Sequence, residues 1–78
     1  MELNALLLKA RKDSNISQRD LAKKLGYRGP QIVSNWERNL NNVPLKKIKR
    51  LMKILNLNEK QTQQAALIQY SNFIKKYF

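Results

Sequence analysis

Polar side chains recur at helical spacing in the middle of the chain. At about 100° per residue, one helix face carries Gln31, Ser34, Asn35 and Arg38. An Asn or Gln amide can donate and accept hydrogen bonds at an adenine, and an Arg guanidinium can pair with a guanine or hold a phosphate. Each of these residues alone could belong to an ordinary solvent-exposed helix face. Their position together on one face is what indicates a function. Together they predict a helix that contacts the edges of bases.

The opposite face of this helix is apolar, because Val33, Trp36 and Leu40 lie together on it. We expect this face to pack in the core, with Trp36 buried rather than stacked on a base. Ile32 lies at the border of the two faces, where it could contact a thymine methyl group. The first turn of the helix would offer free N–H groups to phosphates.

The composition argues against an enzyme. The 78 residues include no histidine and no cysteine, so the commonest general base, the commonest zinc ligands and any disulfide are missing. Asp and Glu together number only 5 and are scattered along the chain. We therefore expect no catalytic residues, no metal site and no cofactor.

The net charge of the chain points to a polyanionic partner. Lys and Arg number 16, which gives a formal charge of +11. Such a charge favours DNA, RNA or an anionic membrane surface. No apolar run approaches the ~20 residues of a membrane span, and we expect no membrane association. The first residues lack the layout of a signal peptide. The expected compartment is the cytoplasm of a bacterium, with the protein bacterial or phage-encoded and associated with the nucleoid, although composition does not exclude a nucleus.

Five helices in a single domain, residues 1–78, are expected to position these side chains. Turn residues cluster at 13–17, 26–30, 39–44 and 56–58, the apolar spacing between them is helical, and no strand signal is present. The fold class is therefore all-α, a compact five-helix bundle. The predicted helices cover about 2–12, 18–25, 30 to 39 or 40, 45–55 and 58–77, and are called helices 1 to 5 in that order.

The helix ends and the apolar stripes follow from the same pattern. Ser17 is a good N-cap for helix 2, Gly26 suits the left-handed position that ends it, and Pro30 suits the first position of helix 3. We expect the apolar face of helix 3 to pack on helices 2 and 4. The other residues expected in the core are Leu3, Leu6, Leu7, Ala10, Leu21, Ala22, Leu25, Leu45, Ile48, Leu51, Met52 and Leu55.

A family resemblance depends on residues spread over most of the chain. It resembles the phage-repressor and Cro type (XRE-like) of helix-turn-helix regulator over about residues 3–57. The resemblance implies a lambda-repressor-like domain with the helix-turn-helix at helices 2 and 3, which binds double-stranded DNA. The matching residues are Ser17-Gln18, Leu21-Ala22, Leu25-Gly26, Val33, Trp36-Glu37 and Pro44.

One departure concerns the turn at 26–30, which is one residue longer than usual in the family. It resembles a variant with a Gly-Tyr turn followed by a Pro-Gln helix start. Aligned backward from Trp36, Gln31 and Asn35 match base-contacting positions of the family. Pro30 then replaces a polar residue, for which Arg28 could compensate from the turn. The base-contact candidates are thus Gln31, Asn35, Ser34, Ile32 and Arg28.

The resemblance also implies contacts to the DNA backbone. Gln18 matches the residue of helix 2 that holds a phosphate and braces the base-contacting helix. The loop after helix 3 touches the backbone in the family, and Tyr27 could offer its hydroxyl to a phosphate or cap the turn. The backbone-contact candidates are Ser17, Gln18, Tyr27, Arg38, Asn39, Asn41 and Asn42.

Arg11 and Glu37 match a pair that the family places between helix 1 and the end of helix 3. We expect a partly buried salt bridge between them that fixes helix 3 against helix 1. Its role is structural and not catalytic.

Helix 5 carries a broad apolar stripe with an aromatic end. Its first half is expected to close the core, and its last turns to form a symmetric homodimer contact. A dimer would place two helices 3 about 34 Å apart on a palindromic operator. The residues expected at this contact are Leu67, Tyr70, Phe73, Ile74, Tyr77 and Phe78.

Three functions agree with these features. The first is a sequence-specific transcriptional regulator, most simply a dimeric repressor of a phage, mobile-element or restriction-modification operon. The second is an antitoxin whose C-terminal helix binds a protein toxin and which also regulates its own promoter. The third is nucleic-acid binding driven by charge alone, which would give equal affinity for any duplex.

Overall fold

A computed structural model describes the backbone of residues 2–77 and the side chains of residues 2–71. Within this part the chain forms five α-helices and no strand, as the sequence predicts. The helices are α1 (Leu3–Asp13), α2 (Gln18–Lys24), α3 (Gln31–Glu37), α4 (Leu45–Leu55) and α5 (Glu59–Tyr77). The bounds of α4 agree with the prediction, those of α2 and α5 differ from it by one residue at one end, and those of α1 by one residue at both ends. Helix α3 begins one residue later and ends two or three residues earlier than predicted.

The first four helices end in the same way, at a residue with left-handed backbone. Asn15, Gly26, Asn39 and Asn56 have φ angles of 55°, 89°, 60° and 52°. The next amide then bonds back to a carbonyl five residues earlier, as in Tyr27 N–H to Ala22 O at 2.9 Å. This is the Schellman arrangement, which satisfies carbonyls that the end of a helix leaves free. Four sharp stops allow five helices to fit in this short chain.

The core is a single cluster to which all five helices contribute. Trp36, Val33 and Leu21 are completely buried at its centre. Ala65 and Ala66 bring the first half of α5 into the same cluster, in agreement with the expectation for helix 5. The other members are Leu3, Leu6, Leu7, Ala22, Leu25, Val43, Ile48, Leu51 and Leu55.

Leu40 was expected in the core, and this prediction is wrong. Its side chain is 59% exposed. The reason is that α3 ends at Glu37, and the left-handed Asn39 then turns the chain away from the direction of the helix. A helical wheel extended to Leu40 therefore assigns it a face that it does not have. Val43, which the sequence pattern did not single out, is buried instead.

Leu45 is the second exception, since 65% of it is exposed. On the helical wheel, Ile48, Leu51 and Leu55 lie within about 60° of one another, and Leu45 is at the edge of their stripe. As the first residue of α4 it also has no preceding turn beside it. Met52, on the same edge, is half-buried.

The packing partners of α3 also differ from the prediction. The extensive helix contacts are α2 with α3, α1 with α3, α1 with α5 and α4 with α5. Helix α3 therefore rests mainly on α2 and α1, and not on α2 and the predicted helix 4. This places α1 directly beneath the helix that carries the polar face.

Candidate nucleic-acid interface

Helix α3 has an inner face in the core and an outer polar face. Val33 and Trp36 are 0% exposed. Gln31 on the other side is exposed, and Ser34 and Asn35 are half-buried. Arg38, also exposed, is the C-cap residue rather than part of the helix. The structure thus presents these four polar side chains outward from α3 and its C-cap, while the inner face of the helix is packed in the core.

Ile32 and Arg28 flank this polar face differently. Ile32 is half-buried and packs against the edge of the core, so only part of its side chain is open to a ligand. Arg28 is exposed in the turn before α3. Pro30, expected as the first helical residue, has helical φ and ψ and precedes the first assigned residue by one position.

Gln31 and Asn35 are joined to each other, one turn apart. Gln31 Nε2 donates a hydrogen bond of 2.9 Å to Asn35 Oδ1. The bond does not use the amide oxygen of Gln31 or the amide nitrogen of Asn35. An acceptor on Gln31 and a donor on Asn35 therefore remain available, and these are the two kinds of group that an adenine edge requires.

The turn before α3 is stiffened by Tyr27 and Lys47. Tyr27 packs edge-on against Trp36, with ring centroids 5.8 Å apart and an interplanar angle of 79°. Lys47 of α4 donates to the carbonyl of Leu25 at 3.0 Å, and its ammonium is 5.2 Å from the centre of the Tyr27 ring. These contacts tie the long turn to α4. The role of Lys47 was not predicted from the sequence.

The carboxylate of Glu37 connects α3 to the two preceding helices. Arg11 Nε lies 2.5 Å from Glu37 Oε2, and Arg11 Nη2 donates to Oε1 at 3.1 Å. Gln18 Nε2 donates to the same Oε1 at 2.8 Å. Arg11 Nη1 also donates to the carbonyl of Ile16 at 2.8 Å. The structure therefore brings Arg11 and Glu37 together as expected, and it adds Gln18 to the pair.

This network has little contact with solvent. The side chains of Arg11 and Glu37 are only 12% and 5% exposed. A charge-assisted, two-pronged pair in such a place has a defined geometry, because guanidinium and carboxylate are both planar. Beside it, Ser17 caps α2 by accepting the N–H of Asp20 at 3.0 Å. The end of α3 is thereby fixed to the end of α1 and the start of α2.

The segment from Arg38 to Val43, called here the 38–43 loop, joins α3 to α4. Four of its residues were predicted to contact the DNA backbone, and all four are exposed: Arg38, Asn39, Asn41 and Asn42. Its fold starts with a 2.8 Å hydrogen bond from the Leu40 N–H to the Asn35 carbonyl. The loop thus continues directly from the polar face of α3.

Three residues that hold this loop were missed from the sequence. Asn4, which is 5% exposed, donates to the carbonyls of Trp36 and Asn41. Tyr70 and Gln69 of α5 donate to Val43 and Asn42. The signal for Asn4 was available: on the helical wheel of α1 it lies between Leu7 and Leu8, beside the buried face, where a polar group needs a partner.

The residues expected at a dimer contact are only partly described. Leu67 is 70% exposed. Tyr70 is half-buried, and its hydroxyl bonds within the chain, so that end of the side chain is already used. Burial raises the pKa of the Tyr70 hydroxyl above its usual value of 10.0. The side chains of Phe73, Ile74 and Tyr77, and the whole of Phe78, lie outside the described residues.

Leu45 and Leu67, both exposed, line one open cavity between α4 and α5. Its volume is about 770 Å³, and Ile48, Met52 and Ala66 form most of the rest of its apolar lining. The residues predicted to bind DNA all lie between positions 17 and 42, and none of them lines this cavity.

The described residues contain no group of three or more His, Cys, Asp or Glu side chains that could hold a metal ion. None of their helices is both long and apolar enough to cross a membrane.

The architecture defines an all-helical protein with α2 and α3 in a helix-turn-helix and a polar face on α3. A model of the helix-turn-helix family matches residues 7–61, which is more than half of the chain. The chain therefore belongs to this family, in its repressor and Cro type, and is a DNA-binding transcription regulator. No curated protein and no solved structure matches the chain.

Proposed function

We propose that this protein is a sequence-specific repressor that binds a palindromic DNA operator as a homodimer. It would act in the cytoplasm on an operon of phage, mobile-element or restriction-modification type, by blocking promoter access. The proposal includes no catalytic activity and no cofactor, in keeping with a chain that has neither histidine nor cysteine.

The observation that carries the proposal is the rigid support behind an outward polar face. Val33 and Trp36 seat α3 in the core, and Glu37 ties its end to Arg11 and Gln18. Side chains that read bases must be held in place, because a loose contact loses both affinity and discrimination. Such support favours sequence-specific binding over attraction by charge alone.

The contacts divide between bases and backbone. Gln31 and Asn35 would contact adenine edges through their joined amides, with Ser34, the open part of Ile32, and Arg28 beside them. Ser17, Gln18, Tyr27 and the exposed residues of the 38–43 loop would contact phosphates and fix the register. Because the amide nitrogen of Gln18 already donates a hydrogen bond to Glu37, we infer that the main role of Gln18 is to hold α3 in place.

The dimer would form through the outer side of α5. Leu67 supports this. Its side chain is 70% exposed, and its burial against a second copy would lower the free energy of the dimer. Tyr70, Phe73, Ile74, Tyr77 and Phe78 follow it at helical spacing. A twofold axis there would relate two copies of α3 across one turn of DNA.

Selection of bound duplexes from a random library is the experiment that tests this proposal. The expected result is a palindrome with half-sites about ten base pairs apart, bound at least ~10³-fold more tightly than random duplex. Recovery of unrelated sequences with equal affinity would overturn the proposal in favour of binding by charge alone. A single unrepeated half-site would refute the dimer.

A second candidate, an antitoxin that also binds its own promoter, is favoured by the cavity between α4 and α5. Leu45 and Leu67 are exposed there and would be covered by a toxin. This function predicts a monomer in solution and a short toxin gene adjacent to this one. A stable dimer that buries Leu67 would exclude it.

A further inference from the structure

The 38–43 loop is exposed at every position assigned to DNA, yet it is held from both sides by buried or half-buried side chains. Asn4 of α1 reaches it from one side, and Tyr70 of α5 from the other. These residues are separated from the loop by more than twenty positions in the sequence. Neither is itself assigned a DNA contact.

Asn4 fixes the beginning and the middle of the segment. Its Nδ2 donates to the carbonyl of Trp36, two residues before Arg38, and lies 3.4 Å from the carbonyl of Asn41. The Trp36 carbonyl also accepts the N–H of Asn39 at 3.1 Å, so Asn4 joins the bonds that end α3. A leucine is of similar size but could make neither hydrogen bond. The contribution that distinguishes Asn4 is therefore its amide group and not its packing.

Tyr70 fixes the far end of the loop. Its hydroxyl donates to the carbonyl of Val43, and the neighbouring Gln69 donates from Nε2 to Asn42 Oδ1 at 2.5 Å. The Tyr70 hydroxyl is a donor at neutral pH, since a tyrosine keeps its proton there even at its usual pKa of 10.0 and burial raises this pKa further.

We propose that Asn4 and Tyr70 are positioning residues for DNA binding, which hold the 38–43 loop in the conformation that contacts the phosphate backbone. A free loop would lose conformational entropy on binding, and a loop that is already ordered avoids most of this loss. The two side chains act through Arg38, Asn41 and Asn42 and not on the DNA itself. This inference depends on the backbone contacts assigned to the loop under the proposed function.

The test is the salt dependence of DNA binding by Tyr70→Phe and Asn4→Leu. Both changes leave the net charge unaltered. Once sedimentation equilibrium shows that each variant dimerises as the wild type does, a change in the slope of log K against log salt comes from a displaced phosphate contact of the loop. We expect about a 5- to 10-fold weaker affinity and a slope smaller by roughly one contact, ~0.9. The probes are the duplex selected from a random library and a random duplex of equal length. Both should weaken alike, with base preference unchanged.

Two control variants make the result decisive. Thr62→Val removes another hydroxyl from α5, one that is 1% exposed and has no hydrogen-bond partner among the described residues, and it should bind as the wild type does. If it weakens binding as much as Tyr70→Phe, the effect is general loosening and the proposal is wrong. Arg38→Gln removes a charge in the loop directly and should lower the slope.

The outcomes separate this inference from the proposed function. If Arg38→Gln lowers the slope while Tyr70→Phe and Asn4→Leu bind as the wild type does, the positioning role is refuted and the loop contacts stand. If Arg38→Gln also has no effect, Arg38 does not contact a phosphate, and both its assignment and the positioning role fall. Should Asn4→Leu fail to fold, Tyr70→Phe decides, because it removes only one oxygen atom.

Discussion

Gln31 and Asn35 are the two residues through which base preference would be expressed, and they are coupled to each other. Their side chains share a hydrogen bond of 2.9 Å across one helical turn. Each amide therefore restricts the other, and together they form one unit with an unused acceptor and an unused donor. The ion pair between Arg11 and Glu37, at the end of the same helix, fixes the orientation of α3 and makes no contact with the bases.

Replacing Gln31 or Asn35 by Ala is expected to cost about 1–3 kcal/mol of binding free energy and to relax the preference at one base pair. Since the two side chains are bonded, the double variant should cost less than the sum of the single ones. Dissociation constants on the selected duplex and its single-base variants measure both effects. Gln64→Ala, at an exposed site of α5, is the control. Unchanged affinity and preference in Gln31→Ala would show that the register is wrong.

Breaking the pair between Arg11 and Glu37 is expected to reduce the stability of the fold. Arg11→Met or Glu37→Met alone leaves a charge that is largely buried, at a cost of about 3–5 kcal/mol. The double variant should recover much of this loss, because no charge is then stranded. Denaturant unfolding gives the free energies. Single variants as stable as the wild type would refute the structural role of the pair.

At the scale of the helices, the regular feature is the left-handed residue that ends each of the first four. Three of these residues are asparagine and one is glycine. Asparagine tolerates this conformation better than other residues with a side chain, and glycine tolerates it best. The direction in which each following segment leaves its helix, including the turn to α3 and the 38–43 loop, is set at these positions.

Gly26→Ala and Gly29→Ala form a matched pair that tests this point. A Cβ at either position would meet nothing within 4 Å, but only Gly26 has a positive φ, of 89°. Gly26→Ala should therefore lose about 1–2 kcal/mol of stability from the backbone alone. Gly29→Ala should stay within about 1 kcal/mol of the wild type. Thermal and denaturant unfolding measure the difference, and equal stabilities would contradict the argument.

The bounds of the helices, except the end of α3, and the main core residues could be predicted from the sequence to within one residue, because they depend on local spacing. Leu21, Val33 and Trp36 lie where their helical faces place them. Leu40 was misplaced because its position depends on where α3 stops, and an asparagine in the left-handed conformation gives no unique sequence signal. Asn4 and Tyr70 were missed as supports of the loop because their partners are backbone carbonyls far along the chain, which side-chain patterns do not reveal.

For the whole molecule, the charge of +11 affects both its association with DNA and its association with a second copy of itself. It accelerates encounter with any duplex and makes affinity fall with salt. Two copies together carry twice this charge, so a dimer must form through an apolar surface that offsets the repulsion. Leu67 is the largest exposed apolar contribution of α5 in the described residues, at 70%.

Leu67→Lys tests the dimer without disturbing the core. We expect the dissociation constant of the dimer to rise at least ~10-fold, since burying a leucine contributes about 1.5–3 kcal/mol and symmetry counts it twice. Sedimentation equilibrium measures this constant, and DNA binding should require correspondingly more protein. Gln64→Lys adds the same charge at an exposed site of the same helix and should have little effect. Equal dimerisation by the two variants would place the contact elsewhere.

The burial of Trp36 has a practical consequence. It is the single tryptophan of the chain, it is 0% exposed, and it lies on the inner face of the helix that carries Gln31 and Asn35. Its fluorescence therefore reports the seating of this one helix in unlabelled protein. Emission at short wavelength indicates α3 docked in the core, and a shift to longer wavelength marks its release into water, whether caused by denaturant, by substitution or by a bound ligand.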